Sequence, residues 1–222
     1  RPRRGRAQHL TLSDRGQNSF QIFERHTPCD MPTCTDPEGL SRYLLKRDDA
    51  VLLIIDVQDR LAAVMPEKDL TVAATVRLVE GAKLMSVPII VTEQYPRGLG
   101  PTLLAISGAL PEHQKFEKLS FSCCGEAGFD EVLDGLGRKS VLIAGMEAHI
   151  CVLQTALALL GKGHDVHIAR DAVCSRVEEN KDVALDLMRD AGAVITTSEI
   201  ALFQLLGRAG VPEFKAISAL VK

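Results

Sequence analysis

The chain has 222 residues, a length that favours one domain with core enough for three layers. A net charge of -3, an aromatic content of 4% and no tryptophan argue against a nucleic-acid partner and against an anionic membrane surface. No apolar run approaches the roughly 20 residues that span a bilayer, so the sequence reads as soluble, with no membrane partner.

Residues 1–45 stand apart from the rest. Four arginines fall in the first six positions, no acidic residue precedes Asp14, and no period is sustained up to Cys34. The segment reads as a poorly ordered N-terminal extension ahead of a domain over residues 46–222. An Arg-rich, acid-poor start also suits a mitochondrial transit remnant, against which Asp14 and Glu24 count. The six cysteines are Cys29, Cys34, Cys123, Cys124, Cys151 and Cys174. They include no C-x-x-C pair, and a core of this size needs no staples. A reducing compartment follows, read as the cytoplasm, with the mitochondrial matrix as the alternative.

From about residue 50, short β-branched runs alternate with longer helical patterns, the mark of a parallel sheet covered on both faces. Strands are predicted at Val51–Ile55, Val87–Val91, Ser140–Ala144, Asp165–Ala169 and Ala193–Thr197, with a weaker one near Gln114–Glu117. Helices are predicted at Leu70–Met85, Ile150–Leu160, Glu178–Ala191 and Ser198–Ala209. In the first of these, Val72, Val76, Val79 and Leu84 form the apolar face. Ser198 is read as the N-cap of the last, and Gly161, Gly163 and Gly192 as helix stops.

In such a sheet ligands bind beyond the carboxyl ends of the strands, so the polar residues following each strand are the candidates. Asp56 follows the first strand directly, and a carboxylate there is costly unless paired or solvated in a cleft. An N-cap or a salt-bridged Asp is the plain alternative. The turn lacks a G-x-G-x-x-G fingerprint, which disfavours a dinucleotide cofactor. Lys118, in Phe116-Glu117-Lys118-Leu119-Ser120-Phe121, follows a strand edge and is either solvated or turned into the cleft. Cys151, in Ala148-His149-Ile150-Cys151-Val152, falls in the first turn of a helix, where free N–H groups favour thiolate. A buried structural cysteine is its alternative. Adjacent Cys123 and Cys124 read as two small residues.

Together, Asp56, Lys118 and Cys151, in this order on these elements, resemble the isochorismatase-like cysteine hydrolase superfamily. The resemblance runs from about Val51 to Lys222. Thr92-Glu93-Gln94-Tyr95-Pro96-Arg97-Gly98-Leu99-Gly100, Gly145-Met146-Glu147-Ala148-His149 and Phe214-Lys215-Ala216-Ile217-Ser218 are similar to the isochorismatase-domain-containing subgroup. The resemblance implies a three-layer α/β/α fold on a six-stranded parallel sheet of order 3-2-1-4-5-6. It implies an Asp56–Lys118–Cys151 triad, a cis Met146–Glu147 peptide, and an oxyanion hole from the Glu147 and Cys151 amides. Gln58, Tyr95, Phe121 and His149 are candidates for the substrate wall, with His149 equally able to face solvent. It also implies a homo-oligomer, with the helix over Ser198–Gly207 as a candidate interface.

Nicotinamidases of the same superfamily hold a metal through a carboxylate and histidines. No histidine lies between Asp56 and Pro111, so no metal and no other cofactor is expected. The activity implied is hydrolysis of a small amide-like or ester-like substrate, an amidohydrolase-type reaction through a Cys151 thioester. Two rivals are vinyl-ether hydrolysis, which uses the same Asp without a thiol, and a non-catalytic binding protein on the inherited fold. Ribonuclease activity, suggested for relatives in the subgroup, fits poorly with the charge and the few aromatics.

Overall fold

The computed structural model describes residues 39–222. Cys29, Cys34 and the Arg-rich start lie outside the described residues, and with them most of the expected extension. The packed chain begins before residue 46, earlier than the sequence suggests. Leu40–Tyr43 form a 3-10 turn, Leu45 is buried, and its N–H donates to Gln204 Oε1 at 3.1 Å.

Six strands follow: β1 (Ala50–Ile55), β2 (Ile89–Gln94), β3 (Gln114–Lys118), β4 (Ser140–Met146), β5 (Asp165–Cys174) and β6 (Val194–Thr196). They form one sheet of order β3-β2-β1-β4-β5-β6, every pairing parallel, which is the expected 3-2-1-4-5-6 topology. β1, at the centre, is buried along its whole length. Its side chains alternate between faces, as strand geometry requires. Leu52 and Ile54 enter one core with Leu142 and Ala144, while Val51, Leu53 and Ile55 enter the other with Val141 and Ile143. Each of the Leu, Ile and Val side chains contributes roughly 1.5–3 kcal/mol by leaving water.

The helices that cover these faces are α1 (Lys68–Leu84), α2 (Phe129–Gly135), α3 (Leu153–Gly161), α4 (Glu178–Asp190), α5 (Ser198–Leu206) and α6 (Phe214–Leu220). One core takes Leu78 and Val79 of α1, Leu202 and Leu205 of α5, and Ile217 of α6. The other takes Phe129 of α2, Ala156 and Leu159 of α3, and Leu185 and Met188 of α4. The result is three layers, α/β/α.

Several local expectations are corrected. The buried face of α1 is Thr71, Ala74, Thr75, Leu78, Val79, Gly81 and Ala82, and Leu84 is exposed. Small residues on that face let α5 approach closely: a Cβ on Gly81 would lie 2.1 Å from Leu202 Cδ2. The N-cap of α5 is Thr197, whose hydroxyl accepts from Ile200 N at 3.2 Å, while Ser198 N–H donates to Asp171 Oδ1 at 2.8 Å. That helix stops at Leu206 because Gly207 takes a left-handed C-cap. β2 starts at Ile89, after Pro88, and runs three residues beyond the predicted end to Gln94. β3 is an edge strand with one buried residue, Lys118, which explains its weak apolar signal.

The strand order reverses between β1 and β4. The carboxyl ends of these two strands, with that of β2 and β3 beside them, form the crevice where this fold class places ligands.

Candidate active site

Gly145 brings the two central strand ends together. Its φ is +146°, and a Cβ there would lie 2.2 Å from the Ile55 carbonyl oxygen. Only glycine lets β4 pass this close to the last residue of β1.

Asp56 leaves β1 with φ +55°, a left-handed conformation that Asp tolerates better than most residues. Its N–H donates to Thr92 O at 3.1 Å. The turned backbone aims the carboxylate inward, where it is fully buried. Thr92 Oγ1 donates to Asp56 Oδ1 at 2.8 Å, and Lys118 Nζ lies 2.7 Å from Oδ2. Both side chains of this ion pair have 0% exposure.

Lys118 is the last residue of β3, in register with Gln94 of β2. Its ammonium donates to Gln94 Oε1 at 2.7 Å and to the carbonyls of Ser120 and Phe121 at 3.2 and 3.1 Å. With Asp56 Oδ2 at 2.7 Å, four acceptors crowd three N–H bonds, and the carboxylate is among the two shortest contacts. Burial works against the Lys118 charge, but Asp56 and then Cys151 outweigh it and hold the ammonium pKa above its ordinary value.

Cys151 sits on a π-helical turn, Ala148–Val152, that leads into α3, rather than in the first turn of a regular α-helix. The sulfur side chain is buried, at 5% exposure, and Sγ lies 4.0 Å from Gln94 Oε1. Burial first and the Asp56 carboxylate second push the thiol up to about 12, with Lys118 pulling the other way. The helix-terminus effect that favours thiolate does not dominate here. Desolvation and a neighbouring negative charge outweigh the cation, and Cys151 rests as a thiol.

The Met146–Glu147 peptide is cis. The Glu147 carboxylate turns away from the sulfur, and its Oε2 accepts from Arg176 N and Nε, both at 3.0 Å. Of the expected wall residues, Gln58 is fully buried and its amide is used on backbone. Nε2 donates to Gln94 O and Gly100 O at 3.0 and 2.6 Å, and Oε1 accepts from Gln94 N at 2.8 Å. Gln58 thus stands behind the site and braces Gln94. Tyr95, with φ +37°, is half exposed at the rim. It joins Pro96, Arg97, Glu117, Lys118, Leu119 and Glu126 in lining a cavity of about 380 Å³, of which neither Asp56 nor Cys151 is a lining residue. Phe121 exposes its ring and offers only its carbonyl to Lys118. His149 is half-buried and bonds Ser175 Oγ at 2.9 Å through Nδ1.

Two residues that sequence reasoning passed over belong here. Thr92 and Gln94 are the fourth and last residues of β2, both one side chain from the ion pair. Their polarity inside a buried strand, in Ile-Ile-Val-Thr-Glu-Gln, is the signal that marks them. Cys123, just beyond Lys118, is buried and hydrogen-bonds through sulfur to Thr155 and Thr92. Burial first pushes it up to about 12. Among the described residues, no three His, Cys, Asp or Glu side chains converge as a metal-ligand set.

The sequence model of the isochorismatase domain matches residues 50–200, which include Asp56, Lys118 and Cys151. The chain belongs to the isochorismatase family. Among similar isochorismatase proteins, the secreted isochorismatase effector Isc1 of Phytophthora sojae is 42% identical over 177 residues, 78% of this chain and 84% of that one. Human isochorismatase domain-containing protein 2 is 38% identical over 176 residues, 78% of this chain and 83% of its own. A solved structure titled as the MAR1 ribonuclease of Caenorhabditis elegans has a TM-score of 0.77 and 35% identity, covering 80% of this chain and 92% of that one. The family makes this chain a hydrolase by kind.

Proposed function

We propose that the protein is a cysteine hydrolase of small amide-like or ester-like substrates, working without a metal or other cofactor. The observation that carries the reading is a fully buried Asp56–Lys118 ion pair at 2.7 Å with the Cys151 thiol against it. Leaving an ion pair dry costs free energy that a purely structural element avoids, so its place beside a thiol at the sheet's switch point favours chemistry.

The steps follow from the atoms. Cys151 gives its proton to the Asp56 carboxylate beside it. The sulfur attacks the substrate carbonyl, and the new oxyanion is received by the Glu147 and Cys151 amides. The leaving group departs with the proton held by Asp56. Water, deprotonated by Asp56, then hydrolyses the thioester and restores the thiol. Lys118 keeps Asp56 in place and balances the charges that come and go. Tyr95, Phe121 and His149 are assigned to substrate binding, with Tyr95 supported by its place in the cavity wall.

The cavity lined in part by Tyr95 and Lys118, at about 380 Å³, suits a small molecule rather than a folded RNA, which disfavours transfer of a ribonuclease role to this chain. Exposed Ile200 and Phe203 on α5 support a homo-oligomer through that helix. The four described cysteines are free thiols, which suits a cytoplasmic setting. No helix among the described residues is long and apolar enough to cross a membrane.

The test is a screen of small amides, ureides and thioesters, read by intact mass for an acyl adduct on Cys151. With a substrate in hand, Asp56→Asn, Lys118→Met and Cys151→Ala should each lose nearly as much activity as the triple variant. Turnover by Cys151→Ala near the wild-type rate, with Asp56→Asn inactive, would reject the thioester and put vinyl-ether hydrolysis first.

A further inference from the structure

The loop that follows β3 is closed on itself by one carboxylate. Glu126 Oε1 accepts from Leu119 N and Ser120 N, both at 2.8 Å, and Ser120 Oγ lies 2.6 Å from the same oxygen. Bonds to an ionised acceptor are roughly twice as strong as the same bonds to a neutral one. Gly125 makes this reach possible. A Cβ there would lie 2.9 Å from Ser120 Cβ and Oγ, so the 3-10 turn Cys123–Gly125 sits directly against Ser120. The far end of the loop is tied to α3, where Cys123 N donates to Thr155 Oγ1 at 3.0 Å.

The other side of this loop serves Lys118. Ser120 O and Phe121 O accept from its ammonium at 3.2 and 3.1 Å, and Leu119 O accepts from Gln94 Nε2 at 2.8 Å. The planar Leu119–Ser120 peptide is therefore clasped on both edges, its N–H by Glu126 and its carbonyl by Gln94. The next two carbonyls follow from it and point at the ammonium. A lysine side chain with 0% exposure has no water to solvate its charge, so these carbonyls must stay aimed.

We infer that Glu126 is a positioning residue for Lys118: its carboxylate anchors the loop whose Ser120 and Phe121 carbonyls hold the ammonium beside Asp56 and Cys151. The inference rests on the triad reading above and adds the element that sets the lysine in place. Glu126 is suited to the task because it stays ionised. The Ser120 hydroxyl first, then the Ser120 and Leu119 amides, hold its pKa below the ordinary 4.5, with burial opposing and Lys118 adding a smaller pull downward. Arg97 and Glu117 are the other charged groups of the cavity that Glu126 and Lys118 line. The anchor is thus complete at neutral pH and is lost as pH falls through the lowered Glu126 value.

The experiment reads both sides of the loop. By NMR from pH 7 to pH 3, the Leu119 and Ser120 amide proton shifts should titrate together with a midpoint below 4.5, and Glu126→Gln should abolish that step. Lysines are then acetylated at pH 8 with N-acetoxysuccinimide, and rates are mapped by peptide. The free amine attacks the ester carbonyl, N-hydroxysuccinimide leaves, and the amine proton passes to solvent. Glu126→Leu removes the acceptor and a negative neighbour, and both losses favour the free amine. Lys118 should then react roughly tenfold faster or more, the scale of one hydrogen bond to a charged group. Glu126→Gln keeps a carbonyl acceptor, so its acceleration should be roughly threefold or less. Buried Lys181 on α4, paired with Glu67 at 2.6 Å, should keep its wild-type rate in both variants.

A Lys118 rate unchanged in Glu126→Leu, or a glutamine variant as fast as the leucine one, would overturn the inference. Equal acceleration of Lys118 and Lys181 would overturn it too, since that outcome reports general loosening. So would Leu119 and Ser120 amides that keep their titration in Glu126→Gln. Failure of the triad reading shows elsewhere: iodoacetamide alkylation of Cys151 that is unchanged in Lys118→Met would reject that reading, whatever the Glu126 variants do.

Discussion

Asp56 raises the Cys151 thiol in the resting protein, and that makes a conservative substitution informative. Asp56→Asn keeps the size, the acceptor for Thr92 Oγ1, and a residue type that accepts the φ of +55° better than Ala does. What it removes is a negative charge beside a sulfur held at about 12 by burial first and Asp56 second. An adjacent unit charge, at an effective dielectric of about 20, is worth about 3 kcal/mol, or roughly 2 pH units. The Cys151 midpoint should then fall by roughly 2 units, and the unpaired Lys118 ammonium adds to the same direction. At pH 8 that means about a hundredfold more thiolate, reduced to roughly tenfold in alkylation rate by the weaker nucleophilicity of the more acidic thiol. Breaking a buried pair also costs about 3–5 kcal/mol of stability, so the midpoint of urea unfolding should be measured alongside and should drop. The assay is the pH dependence of Cys151 alkylation, mapped at the peptide level. Turnover of any substrate should disappear in the variant that alkylates faster, because the proton acceptor is gone while the nucleophile is more available. A midpoint that stays at the wild-type value, or rises, would refute the placement of Asp56 as the charge that governs this thiol.

Two further outcomes test the fold that holds the site. Gly145→Ala forces a Cβ to 2.2 Å from the Ile55 carbonyl oxygen in a left-handed backbone. It should destabilise by more than about 3 kcal/mol in chemical unfolding or prevent folding altogether, and a loss under about 1 kcal/mol would mean that β1 and β4 are not packed this closely. His167 is fully buried on β5, and burial holds its pKa below the ordinary 6.5 against weaker opposing pulls from Arg42 backbone and Asp165. Below about pH 6.5 the unfolded chain takes up the proton that the folded chain refuses, so this residue's share of stability is lost as pH falls, by at most about 1.4 kcal/mol per unit. His167→Leu should flatten the difference in unfolding free energy between pH 7 and pH 5.5, and an equal slope in both proteins would exclude His167 as its source.

The sequence by itself determined the layers and their order of appearance. Runs such as Val51–Ile55 and Ser140–Ala144 are apolar on both faces, which only a covered parallel sheet accommodates, and the residues directly after them fall at the end of the sheet where ligands sit. That was enough to single out Asp56, Lys118 and Cys151, because strand ends are local features and their residue types stand out against apolar runs. Tertiary structure decided whatever depends on neighbours distant in the chain. The burial face of α1 follows Gly81 against Leu202 on α5, and no periodicity within α1 records that partner. Gln58 looks free to touch a ligand in its own sequence, yet its amide is used on the backbone of Gln94 and Gly100. The state of the Cys151 thiol was decided the same way. Its own turn suggests thiolate, but charge state is set by total burial and by Asp56, contributed by a strand almost a hundred residues earlier in the sequence. The role of Gln94 depends on tertiary structure in the same way: only the pairing of β2 with β3 places its side-chain carbonyl on Lys118.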